Sequence, residues 1–217
     1  MVGVLGLGSN ATLHFIKRLN EVYQEKHGGD STCPFVLLNS NFDTINPFLP
    51  NNFTILLPVI QMNLNKLREM GCREIVVPNM TIHEAIDKLD VEWQSSIIHP
   101  FKLLHSAMQK STKKKALILG TRYTMQHEYL RSFLQGLEFI ELSDLKLSKI
   151  DAIRKSVYEF GPSNQLRTEL MECVQSELDS TTALIVACTE LSLLVKHSDD
   201  CIDILELQIQ ATVSRIL

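Results

Sequence analysis

No apolar run in the 217-residue chain approaches the ~20 residues that a membrane helix needs, so no transmembrane anchor is expected. An excess of positive charge is missing too. The formal charge is −4 and the pI is near 6.0, which leaves no basic field for nucleic acid or an anionic membrane. The one basic cluster, 113-KKK-115, reads as a solvated lead-in to a strand. No CxxC pair occurs, and the five cysteines (Cys33, Cys72, Cys173, Cys188 and Cys201) are an odd number. That argues against a disulfide framework and against a structural zinc site, and it leaves at least one thiol to explain. The first residues, MVGVLGLGSNAT, contain neither a charged leader nor a long apolar region. A cytoplasmic protein is expected.

What is present is ordinary for a globular chain: 45% hydrophobic and 21% charged residues. Short apolar runs alternate with longer amphipathic segments. Strands are expected at 2–7, 35–40, 74–78, 96–100, 116–120, 138–142 and 183–188. Helices are expected at 11–26, 51–71, 101–110, 124–136, 148–161, 163–178 and 204–217. Continuously apolar strands are buried on both faces, so the alternation implies an α/β fold with parallel sheets and crossover helices. The chain also repeats itself loosely. The segment 4-VLGLGSNAT-12 has a counterpart in 117-LILGTRYTM-125, and 76-VVPNM-80 in 185-IVACT-189. Two similar halves are expected, the first at 1–110 and completed by a final helix at 202–217, the second at 111–201. Ligands of such sheets bind beyond the carboxyl ends of strands. That expectation places Gly8–Asn10, Asn79–Thr81, Gly120–Thr124 and Cys188–Glu190 around one cleft.

Each of these segments supports two readings. The stretch 6-GLGSNAT-12 lacks the third glycine of a dinucleotide fingerprint and the lysine of a phosphate loop, so no nucleotide site is expected. It is either a turn capped by Ser9 or Asn10, or a cradle for a small carboxylate at the helix start. In 120-GTRYT-124, Gly120 permits close backbone approach. Thr121 and Thr124 either cap the following helix or offer hydroxyls to a carboxylate. Cys188 is either a small core hydrophobe or a thiol with acid/base work. Thr189 and Glu190 begin the next helix, a setting expected to stabilise the thiolate. The other four cysteines read as structural. His83, on the first turn after the 76–81 segment, either carries a proton or makes a packing or capping bond.

Taken together, these segments resemble the aspartate/glutamate racemase superfamily over nearly the whole chain. GLGSNAT looks like the family's GMGPxAT loop, GTRYTM matches GTxxTM, and VACTELSLL is similar to GCTEIPLL. REMGCREIVVPNMTIHEAI looks like the helix and strand leading to a C-N-T-x-H loop. The resemblance implies two pseudo-symmetric Rossmann-like subdomains with the active site in the cleft between them, commonly in a homodimer. It also implies a cofactor-independent isomerase, with neither metal nor pyridoxal phosphate. In such enzymes one cysteine thiolate takes the α-proton of an amino acid and a second thiol returns one from the far face, while loop donors stabilise the enediolate.

Carried across by position, Cys188 matches the second-half cysteine and Thr189 its partner. Setting His83 on the family histidine puts Thr81 on the threonine, Met80 on the asparagine and Asn79 on the first cysteine, and sliding by one would place Pro78 there instead. No thiol falls there. Thr81, His83 or a water held by Asn79 would have to stand in. The loop after the second strand, 39-NSNFDTINPFLPNNF-53, lacks the arginine that commonly grips a distal carboxylate, although Asn39, Ser40 and Asn41 can hydrogen-bond a substrate. The expected substrate-binding set is therefore Gly8, Ser9, Asn10, Asn41, Met80, Gly120, Thr121, Thr124, Thr189 and Glu190. Cys188, Asn79, Thr81 and His83 occupy the catalytic positions. Two alternatives stand beside an amino-acid racemase. One is a single-cysteine decarboxylase of the arylmalonate type. The other is an impaired family member that binds an amino acid or related carboxylate.

Overall fold

A computed structural model describes residues 1–216. The chain divides into two compact units, 1–99 with 208–217 and 100–207. In the first unit the order is β1 (Val2–Leu7), α1 (Ser9–His27), β2 (Phe35–Ser40), α2 (Phe53–Glu69), β3 (Glu74–Val76) and α3 (His83–Asp87). The second runs α4 (Pro100–Lys110), β4 (Lys115–Leu119), α5 (Arg122–Gln126), α6 (Glu128–Arg131), β5 (Glu138–Phe139), α7 (Asp144–Phe160), α8 (Asn164–Val174), β6 (Thr182–Val186), α9 (Thr189–Ser192) and β7 (Cys201–Asp203). The last helix, α10 (Ile204–Ile216), starts in the second unit and belongs to the first from Gln208 onward. Leu217, the end of the final expected helix, lies outside the described residues.

Both sheets are wholly parallel. The first has strand order β2-β1-β3, and the second β5-β4-β6-β7. The first strand of each half is thus central, with every residue of β1 buried. A side chain of valine or leucine size gains roughly 1.5–3 kcal/mol on such burial, which is why these short apolar runs form central strands. Leu5, Leu7, Ile60, Leu64 and Ile75 belong to the core of the first unit. Leu117, Leu119, Ile150, Leu184 and Val186 do the same for the second. Cys72 packs on Gly3, where an added Cβ would stand 2.9 Å from its Sγ, so this thiol is a core atom. Burial pushes Cys33 up to about 11 and raises Cys72 as well.

Four expectations change. The strand at 96–100 is reduced to one parallel bridge, Ile75 to Ile97, because a 3-10 turn over Gln94–Ser96 precedes it and Pro100 starts α4. The strand at 138–142 keeps only Glu138–Phe139. The single helix at 124–136 is two short ones that meet at His127, whose ring caps the second. Cys201, outside every element expected from the sequence, lies in β7 beside β6.

Candidate active site

Along the first sheet, the loops that follow β1, β2 and β3 share the carboxyl edge. Gly8 turns the chain into α1 with φ 83°, a left-handed conformation that a side chain disfavours. It is also the N-cap residue, and no side chain caps the helix. This corrects the expectation that Ser9 or Asn10 serves as the cap. Both lie inside the first turn and face solvent, because Gly8 has already made the bend. Thr12 braces the turn, its N–H and Oγ1 donating to the Gly8 carbonyl at 3.1 and 2.7 Å. Gly6 leaves room for that brace, since an added Cβ would be 2.7 Å from Asn39 Oδ1 and 2.9 Å from Thr12 Cγ2. After β2, Asn41 uses its Oδ1 to accept the Asp43 N–H at 3.2 Å.

After β3 the expected catalytic positions divide. Asn79 accepts the Ile82 N–H on Oδ1 at 3.2 Å, a local cap that holds the turn into α3. Met80 is buried and Thr81 half-buried. His83 is fully buried, and its Nε2 lies 3.0 Å from the Val77 carbonyl. A carbonyl only accepts, so this nitrogen carries the proton. His83 also meets His99 edge-on at 4.8 Å between ring centroids. Its surroundings are those of a core histidine.

In the second unit the loops after neighbouring strands β4 and β6 are pressed together. The Ala187 N–H donates to the Leu119 carbonyl at 2.7 Å. An added Cβ on Gly120 would stand 3.2 Å from the Ala187 carbonyl oxygen and 3.0 Å from Thr124 Cβ. Only glycine lets the two loops lie this close. Thr121 caps α5, accepting the Thr124 N–H at 3.1 Å, and the two hydroxyls bond each other at 2.9 Å.

Cys188 stands directly after this contact as the N-cap residue of α9. It is 6% exposed. Its Sγ donates to Glu190 Oε2 at 3.0 Å, and the Thr189 hydroxyl donates to the same oxygen at 3.1 Å. Here the structure reverses an expectation. The thiol is pushed well above its ordinary range, first by burial and then by the Glu190 carboxylate, although the Glu190 and Leu191 N–H groups pull the other way. The physical reason is that α9 is a single turn of four residues with little dipole. The nearest full charge is negative. Cys188 rests as a neutral thiol facing a carboxylate, so the form present can donate a proton and cannot accept one.

Two residues that sequence reading passed over join this site. Ser192, the last residue of α9, donates from Oγ to Asp203 Oδ2, and Asp203 ends β7. Asp203 Oδ1 accepts the Leu205 N–H at 2.9 Å. The signal for it was present: Asp203 followed three residues later by Glu206 has the spacing of a helix-starting box.

A pair of parallel sheets with short helices at their carboxyl edges, one bearing a thiol–carboxylate pair, defines an α/β protein of two related units. The Asp/Glu/hydantoin racemase family model matches residues 4–212, and the chain belongs to that family. Its fold is shared with a candidate Asp/Glu racemase from Yersinia pestis at TM-score 0.82 and 20% identity, over 99% of this chain and 98% of that one. An aspartate racemase homologue from Pyrococcus horikoshii OT3 gives 0.80 and 20%, over 99% and 98%. The Picrophilus torridus aspartate racemase gives 0.80 and 20%, over 99% and 93%. No protein of curated function matches the sequence. Membership carries a racemase-type function on a small amino-acid-like molecule. No described helix is long and apolar enough to cross a membrane.

Proposed function

We propose that the protein is a cofactor-independent isomerase acting at the α-carbon of an amino acid, with Cys188 as the proton donor on one face. The observation that carries this reading is the Cys188 Sγ–H to Glu190 Oε2 bond of 3.0 Å in a buried turn. A neutral thiol held this way delivers its proton to a carbanion or enediolate, and the thiolate then recovers a proton from substrate or solvent. The Thr189 hydroxyl, on the same Glu190 oxygen, keeps the carboxylate in place while the thiol cycles. The proton from the other face would go to a group other than a cysteine. With Asn79 spent on a cap and His83 buried against Val77, Thr81 or a water is the stand-in this reading favours.

The donor state of Cys188 favours a second reading as well. A decarboxylase has only to protonate one face of an enediolate after carbon dioxide leaves, so one thiol suffices.

One experiment tests both. Each enantiomer of aspartate, glutamate and several neutral amino acids is incubated with the protein in heavy water, and proton NMR follows the α-proton signal. Cys188→Ala serves as the control. Exchange that disappears in the control is the expected result. Release of carbon dioxide from a disubstituted malonate, without α-proton exchange, would move the assignment to the decarboxylase. Exchange that survives Cys188→Ala would remove Cys188 from either role.

A further inference from the structure

The two sheets share one plan. In each, the short helix after the third strand is tied to the residue that ends the fourth segment and precedes the next helix. In the first unit the tie is His83 of α3 against His99, directly before Pro100, with rings 4.8 Å apart. His99 Nε2 in turn stands 3.4 Å from Asp87 Oδ2 at the end of α3. In the second unit the tie is Ser192 of α9 to Asp203, directly before Ile204. Two edge-on rings hold one helix, whereas a hydroxyl on a buried carboxyl holds the other. The second tie belongs to the helix that begins at Cys188, and the Ser192 N–H itself donates to the Cys188 carbonyl at 3.0 Å.

We propose that Asp203 is a positioning residue for the Cys188 turn, acting through Ser192, and that the proton on its carboxyl decides how firmly the turn is closed.

Asp203 is 6% exposed and Ser192 is 7% exposed, so water reaches their bond only if the structure around it opens. Burial pushes the Asp203 carboxyl up to about 6; the Ser192 hydroxyl and the Leu205 N–H oppose it, Glu206 of α10 raises it, and His197 lowers it. The other groups around it are few. His197 Nδ1 accepts the Asp203 N–H at 3.1 Å, and Cys201 lies two residues back on β7. Strand β6 brings only Leu184, Ile185 and Val186 alongside, and Glu190 of α9 is engaged by Cys188 and Thr189. Closed, the turn binds the Asp203 proton more tightly than an open, hydrated one would. Acid therefore holds the turn shut, and ionisation favours opening and access to the buried thiol.

The inference rests on the reading of Cys188 as the reacting group, but its test needs no substrate. Deuterium exchange of the segment 188–195 is followed in the full-length protein between pH 5 and 7.5, corrected for intrinsic amide chemistry. Protection is expected to fall with rising pH through a midpoint near 6, by about tenfold across this window, the upper half of the roughly hundredfold ratio set by a gap of about two pKa units. Asp203→Asn should abolish the dependence. Ser192→Ala, which removes a donor that favours the ionised form, should move the midpoint upward. A purely structural brace would leave that midpoint in place. Flat protection in the unaltered protein, or a slope that persists in Asp203→Asn, overturns the proposal. Should Asp203→Asn fail to fold, the Ser192→Ala midpoint decides alone. Loss of α-proton exchange in every assay, by contrast, would overturn the chemistry and leave the latch standing.

Discussion

Asp203 should also leave a signature in global stability. Its carboxyl titrates at about 6 in the fold, against an ordinary value of 3.8. The folded state therefore binds more protons than the unfolded chain between those values, and stability must fall as pH rises through the window. A gap of about two units is worth about 3 kcal/mol in full, of which about 2 kcal/mol lies between pH 4.5 and 7.5. Below the unfolded value the contribution is fully present; above about 6 it is gone. Glu177, lowered by its bond to Lys146, and Asp179, lowered by the Thr181 hydroxyl, have the opposite sign and lose their contribution only as pH falls into the carboxylate range. Asp151 is likewise lowered, by Lys155 and Arg154 against the effect of burial. Subtracting Asp203→Asn from the unaltered protein isolates the one carboxyl. Urea unfolding by circular dichroism at pH 4.5, 5.5, 6.5 and 7.5 should show the Asn variant gaining about 2 kcal/mol on the unaltered protein across the series. Parallel curves would refute the reasoning, because they would mean that Asp203 is hydrated in the fold.

Two further tests address the site itself. Glu190→Gln removes the second cause of the raised Cys188 thiol while burial remains, so alkylation of Cys188 by iodoacetamide at pH 8, read by peptide mass spectrometry, should speed by about tenfold; an unchanged or slower rate would mean that the carboxylate does not govern the thiol. Gly120→Ala should cost about 1–3 kcal/mol in urea unfolding, because its Cβ meets Thr124 Cβ at 3.0 Å and the Ala187 oxygen at 3.2 Å, and a neutral effect would show that the two loops need no close approach.

The fold and the family were both legible in the sequence, for a physical reason. Parallel strands buried on both faces must be apolar throughout, so β1, β4 and β6 stand out from the polar helices between them. Gly120 and the threonines after it were readable because a strand-to-helix turn under close packing tolerates few residue types. The short elements were not. An isolated bridge at Ile97 and three residues at Cys201–Asp203 are strands only because a neighbour pairs with them.

Protonation was the other matter beyond the sequence. Cys188 at a helix start reads as an activated thiolate when only its neighbours along the chain are counted. Tertiary structure buries it, shortens its helix to one turn and folds the Glu190 carboxylate back onto the sulfur. His83 left two readings open in the sequence, and packing encloses its ring against Val77 and His99. By itself the sequence determined which residues gather at the carboxyl edge of each sheet, because the apolar strands and the turns that end them are encoded locally. Only the tertiary structure decided which of them hold protons, because a pKa answers to every charge and every excluded water within a few ångströms, whatever the separation along the chain.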